Sequence, residues 1–109
     1  MPTMPRLTLP TAMVLMAVFR SYRYGFDISD ATGLPSGTVY PVLRRLEEAG
    51  LLRSRWEAAQ TARAEQRPPR RYYTITASGS QAVRDAMERY PTLERAFDRP
   101  GSSPEPRTA

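Results

Sequence analysis

The pattern that most narrows the fold lies between Gly33 and Gly50. Gly33, Leu34 and Pro35 form a turn, Ser36 suits a helix N-cap, and Val39, Val42, Leu43 and Leu46 follow at i, i+3, i+4 and i+7. That spacing puts four apolar side chains on one face of a helix, which Gly50 ends. Ahead of the turn, residues 25–32 are predicted to form a shorter helix burying Phe26, Ile28 and Ala31, with Gly33 just past its end. Two short helices joined by a glycine-containing turn, the second polar on its outer face, outline a helix-turn-helix.

The flanking segments sharpen that outline. Residues 51–56 and 70–76 read as strands, separated by a polar Ala-, Arg- and Gln-rich loop that Pro68 and Pro69 close. Helix, helix, strand, loop, strand is the winged-helix order. Tyr72 and Tyr73 alternate across the second strand, so one of them belongs to the core.

Upstream, Leu9 to Phe19 is apolar on nearly every side, with Thr8 as N-cap and Pro10 in the first turn. This segment is either a central core helix or one whose surplus apolar surface meets a second subunit. Downstream, residues 77–97 resume helical spacing through Val83, Ala86, Met87, Tyr90, Leu93 and Phe97, and Pro91 is expected to break or kink that helix near Tyr90. From Asp98 onward, Pro, Gly, Ser and Thr without a large apolar residue describe a disordered tail. The predicted architecture is mainly α with a small β-hairpin wing. It divides into a winged-helix domain (1–76), a C-terminal helix whose narrow stripe suits packing along another helix (77–97) and a tail (98–109).

Composition limits the function. A chain of 109 residues has room for one domain with its own core. Cysteine and histidine are absent, which removes disulfides, thiol nucleophiles, most zinc sites and the commonest general base. No enzymatic activity, metal or cofactor is therefore expected. No signal peptide opens the chain and no apolar run approaches membrane-spanning length, so the expected location is the cytoplasm. The net charge of +5 favours a polyanionic partner, although all 16 basic residues are arginines, which a GC-rich genome also produces.

On the helix after the turn, Gly37, Pro41, Arg44, Arg45 and Glu48 project opposite the apolar face, and Thr38 and Tyr40 lie at its flanks. A recognition helix needs small residues at its start, hydroxyls and N–H groups for phosphates, and arginine for base edges. Ser36, Gly37, Thr38, Tyr40 and Arg44 supply that set. The same residues also have structural readings: Ser36 as a cap, Tyr40 as packing, and Arg44 and Arg45 as a solvated face neutralised by Glu47 and Glu48. Between and after the strands, Arg63, Arg67, Arg70 and Arg71 outnumber Glu65 beside two tyrosines, a basic wing able to follow the DNA backbone or enter the minor groove.

Three stretches, Tyr24 to Ile28 (YGFDI), Gly37 to Leu52 (GTVYPVLRRLEEAGLL) and Arg67 to Gly79 (RPPRRYYTITASG), resemble PadR-family transcriptional regulators in order and spacing. The opening Leu7 to Leu15 (LTLPTAMVL) resembles short actinobacterial-style members. The resemblance implies a winged helix and a C-terminal helix that packs across a two-fold axis, usually with the partner's first helix. It also implies a homodimer on double-stranded DNA, acting as a repressor relieved by a small molecule or another signal. Carried over position by position, the DNA-facing residues are Ser36, Gly37, Thr38, Tyr40, Pro41 and Arg44 in the helix, and Arg67, Arg70 and Arg71 in the wing. The short C-terminal region with Pro91 departs from the family pattern.

Some members hold flat aromatic effectors between protomers. Trp56, Met13, Met16 and Met87 would line such a small-molecule site at the dimer interface, and ordinary core and interface packing accounts for the same four residues. Two other functional classes compete with DNA binding. A winged-helix protein-interaction module is opposed by the basic wing, and a small RNA-binding protein by the scarcity of aromatics outside core spacing.

Overall fold

Thr8 starts the first helix: its hydroxyl accepts the Thr11 N–H at 3.4 Å, and Pro10 sits in the first turn, where no N–H is missed. The computed structural model describes residues 7–93 and residue 95. In it α1 (Leu9–Phe19) buries Ala12, Val14, Leu15, Met16, Ala17 and Val18. It touches α2 (Gly25–Thr32), α3 (Ser36–Glu48), β2 (Arg71–Ile75) and α5 (Ala77–Arg89). The all-round apolarity of α1 is thus that of a central core helix covered by its own chain, with Leu9 and Phe19 left exposed at its ends.

Helix α2 ends at Gly33, whose φ of 76° is the left-handed conformation expected there. The turn that follows is tied by the Ser29 hydroxyl, which donates to the Leu34 carbonyl at 2.5 Å, and by the Leu34 N–H, which donates to Thr32 Oγ1 at 3.2 Å. Ile28 is buried and Ala31 half-buried as expected, but Phe26 is 73% exposed. The reason is angular. Gly25, Ile28 and Thr32 form the buried face of this eight-residue helix at i, i+3 and i+7, which turns the residue after Gly25 outward.

Helix α3 buries Val39, Val42, Leu43 and Leu46, the four residues the spacing selects. It begins one residue earlier than predicted: Pro35 is the N-cap, its carbonyl accepting the Thr38 and Val39 N–H groups at 2.9 and 3.0 Å, so Ser36 is already helical and caps nothing. Pro41 lies inside α3 and brings no N–H to the Gly37 carbonyl, a loss tolerated because both residues face solvent.

The wing is an antiparallel pair, β1 (Leu52–Trp56) with β2, in the register Leu52↔Ile75, Ser54↔Tyr73 and Trp56↔Arg71. Each strand is slightly shorter than predicted. Tyr73 is the buried tyrosine and Tyr72 the half-buried one. On the far edge of β2 the Tyr73 N–H donates to the Arg23 carbonyl at 2.7 Å, which fastens the chain entering α2 to the sheet. The segment read as a loop between the strands contains α4 (Ala59–Ala64), a short helix whose Ala-rich sequence favours that state and whose Ala62 is buried.

Thr76 caps α5, accepting the Gly79 N–H at 3.0 Å and donating to the Gly50 carbonyl at 2.7 Å. Helix α5 packs Ala82, Val83 and Ala86 into the core beside α1 and stops at Arg89, two residues before Pro91. The chain then turns so that Leu93 is buried, while the Tyr90 hydroxyl donates to the Leu7 carbonyl at 2.8 Å. The helix predicted over 77–97 is therefore shorter. Phe97 and the tail expected from Asp98 lie outside the described residues. The fold is mainly helical with a two-stranded antiparallel hairpin, the winged-helix arrangement read from the sequence.

Candidate nucleic-acid interface

The N-terminal turn of α3 is open. Ser36, Gly37, Pro41 and Arg44 are exposed, Thr38 is half-buried, and a Cβ built on Gly37 would meet nothing within 4 Å. Helices α2 and α3, with Tyr24 and Pro35 at their N-caps, have no side-chain cap, whereas α1 and α5 each have a threonine. The first-turn N–H groups of α3 thus carry the positive end of the helix dipole without a side-chain acceptor. Arg44 makes no hydrogen bond or ion pair among the described residues, so a pairing with Glu48 does not account for it.

Tyr40 joins α3 to α2. A Cβ on buried Gly25 would stand 2.5 Å from Tyr40 Cζ and 2.6 Å from its hydroxyl oxygen, so only glycine lets the ring lie against the first turn of α2. The ring is held from one side and remains 48% exposed.

The three wing arginines carried over as DNA-facing each have a partner within the chain. Arg67 is committed. Its Nη1 and Nη2 donate to the two Glu57 carboxylate oxygens at 2.6 and 2.8 Å, and Nη2 also reaches Glu65 Oε1 at 3.0 Å. Glu57 further accepts the Arg70 N–H at 3.2 Å and the Tyr72 hydroxyl at 3.0 Å. The Arg67 hydrogen bonds, opposed by burial and aided by Arg70 and Tyr72, hold the Glu57 carboxyl down to about 2, and the Arg67 guanidinium is raised in turn.

Arg70 stacks its guanidinium 4.3 Å from the centre of the Tyr24 ring, which meets Tyr72 edge-on at 5.6 Å. Burial pushes the Tyr24 phenol up, as it does that of Tyr73. Arg71 donates from Nε to Ser54 Oγ at 2.9 Å, lies 3.5 Å from Glu47 Oε1, and sits 5.4 Å from the Trp56 ring centre. Its side chain is still 43% exposed, so it keeps donor capacity towards solvent. Between α2, α3 and the wing runs an open cleft of about 290 Å³, lined by Tyr24, Gly25, Phe26, Tyr40, Trp56, Pro69, Arg70 and Arg71.

The Transcriptional regulator PadR-like family matches residues 14–85, more than half of the 109-residue chain. The chain belongs to this PadR-like family. Its fold is similar to that of a PadR family transcription regulator from Clostridium difficile, with a TM-score of 0.66 at 19% identity, covering 84% of this chain and 96% of that one. It is similar to Bordetella bronchiseptica BpsR, with a TM-score of 0.64 at 23% identity over 89% of this chain and 71% of that one. A PadR family transcriptional regulator from Eggerthella lenta matches at 28% identity and a TM-score of 0.56, covering 81% of this chain and 79% of that one. No curated protein matches the chain.

As a PadR-family chain it belongs to a group of DNA-binding transcription regulators and not to an enzyme class. No group of three or more His, Cys, Asp and Glu side chains that would hold a metal occurs among the described residues, and no helix there is long and apolar enough to cross a membrane.

Of the residues chosen from the sequence, Ser36, Gly37, Tyr40, Pro41 and Arg44 share the exposed part of α3, while Arg70 and Arg71 border the cleft. Of the four residues grouped as an effector site between protomers, Trp56 is exposed on the wing, Met16 is buried in the core, and Met13 and Met87 are packed against it. Sequence reasoning missed Glu57, which the count of wing acids passed over. An acid at the end of β1, ten residues before an arginine across the hairpin, is the signal that would have found it.

Proposed function

We propose that this PadR-family protein is a sequence-specific DNA-binding regulator that represses transcription as a homodimer on a pseudo-palindromic operator. The observation that carries the reading is the open start of α3. First-turn N–H groups without a side-chain cap, a glycine with free space beside it and an unpaired arginine share its exposed surface. Entering the major groove, Ser36, Gly37, Thr38 and Tyr40 meet the backbone, Pro41 packs beside it, and Arg44 reaches a base edge. Arg70 and Arg71 take phosphates. Arg67, carried over with them as DNA-facing, supports the wing from within through Glu57.

The homodimer rests on the family, since α5 already spends its apolar stripe on α1 of the same chain. The remaining surface of the 77–97 segment and the exposed Leu9 and Phe19 are assigned to the partner. BpsR is a protein whose DNA binding is regulated by 6-hydroxynicotinic acid, and by analogy a small-molecule effector at the dimer interface is part of the proposal.

Genome-wide footprinting of the protein in its own cells tests the reading. The expected result is a set of two-fold-related sites with half-sites about 34 Å apart or a multiple of that. The recovered duplex should bind a dimer in sedimentation, and tighter than random DNA. Equal affinity for both duplexes would refute sequence-specific regulation, and a monomer on the operator would refute the dimer.

A further inference from the structure

Three large aromatic side chains stand exposed around one cleft: Phe26 at 73%, Trp56 at 63% and Tyr40 at 48%. They come from the first turn of α2, the end of β1 and the first half of α3, so only the tertiary fold brings them together. Clustered exposed aromatics mark a contact surface. We propose that this cleft clasps one deoxyribose–phosphate unit of the DNA backbone, with Trp56 packed against the sugar and the Arg71 guanidinium on the phosphate. The proposal rests on the DNA-binding reading above and adds to it residues chosen there from neither motif nor charge.

Charge and size decide the occupant. The lining contains two arginines and no carboxylate, which suits a phosphate. Arg71 opposes Trp56 across the hairpin and already lies beside its ring, so apolar and cationic groups are presented together, as a sugar linked to a phosphate requires. At about 290 Å³ the cleft lies just under the range of roughly 300–1,000 Å³ typical of drug-sized ligands, and it is open to solvent. That shape fits one unit of a continuing polymer better than an enclosed effector. With α3 in the major groove and the wing along the backbone, a cleft between them straddles a single strand. Every nucleotide presents the same sugar and phosphate, so the contact positions the protein without reading sequence.

Trp56 is the sole tryptophan, so its emission reports directly on the cleft. Duplex binding is followed independently by the anisotropy of a fluorescein-labelled random-sequence duplex. On saturation with unlabelled duplex, acrylamide quenching of Trp56 is expected to fall. Trp56→Ala should weaken binding about tenfold on any duplex, while Trp56→Phe, which keeps a ring, stays within about threefold of the parent.

Full binding by anisotropy with unchanged Trp56 quenching and an unaffected Trp56→Ala variant would overturn the clasp and leave the DNA-binding reading standing. No binding at low salt would overturn both. Quenching of Trp56 by benzoate, with release of the duplex, would assign the cleft to an aromatic anion and overturn the clasp as well.

Discussion

Both terminal nitrogens of Arg67 end on the carboxylate of Glu57, whose side chain is only 4% exposed. The pair closes the wing across ten residues and fixes the course of the chain between the strands. An arginine held this way contributes little free charge to a polyanion. A phosphate contact, by contrast, contributes about 0.9 to the slope of log K against log salt. Arg67→Ala is therefore expected to leave the slope unchanged and to lower affinity only through a looser wing. Arg71→Ala should reduce the slope by about that amount. Binding isotherms across a salt series check both, and a reduced slope for Arg67→Ala would place it among the phosphate contacts.

The same pair sets an acid limit on the wing. Glu57 is held at about 2, below its ordinary 4.5. A carboxylate depressed on folding stabilises the folded chain above its unfolded value and loses that contribution as pH falls towards the folded one. The window is therefore between about 4.5 and about 2. Glu57→Gln should be less stable than the parent at neutral pH, and the gap should close across that window. Urea midpoints measured at successive pH values show whether it does, and a gap independent of pH would mean that Glu57 acts by shape alone.

Local patterns were legible in the sequence and cross-chain ones were not. The buried face of α3 follows from four residues within two turns, and Pro91 stops α5 by its own chemistry. Phe26 was misread because an eight-residue helix offers more than one apolar face, and the choice is made by Gly25 seated under Tyr40 from another helix. The sequence AQTARA is short and sits between strands, so its helical propensity was hidden by its position. The candidate site divides the same way. Its α3 residues lie within one helix, whereas Glu57 finds Arg67, and Trp56 finds Phe26 and Tyr40, only after the hairpin has closed.

Thr76 is a test of how firmly α5 is attached. Its side chain accepts from Gly79 at the start of the helix and donates to the carbonyl of Gly50, just past the end of α3. Loss of a threonine N-cap costs about 1 kcal/mol, within a range of roughly 0.5–2. With a second hydrogen bond also lost, Thr76→Ala should fall in the upper part of that range, and Thr76→Ser should recover most of it. Chemical denaturation reports the difference, and a change below about 0.5 kcal/mol would show that packing of Val83 and Ala86 alone secures the helix.

Arg44 separates recognition from attraction. It is exposed on α3 beside Pro41 and has no hydrogen bond or ion pair among the described residues, so its replacement breaks neither kind of bond there. A bidentate arginine on a guanine edge contributes about 1–3 kcal/mol of discrimination. If Arg44 makes that contact, Arg44→Ala lowers affinity for the operator by the corresponding factor of about 5 to 150 and leaves random duplex nearly as before. Thermal stability should not change, since an exposed arginine without a partner supports little structure. Titration of both duplexes at one salt concentration provides the measurement. Equal losses on operator and random DNA would place Arg44 on a phosphate, and base recognition would then have to come from elsewhere on the interface.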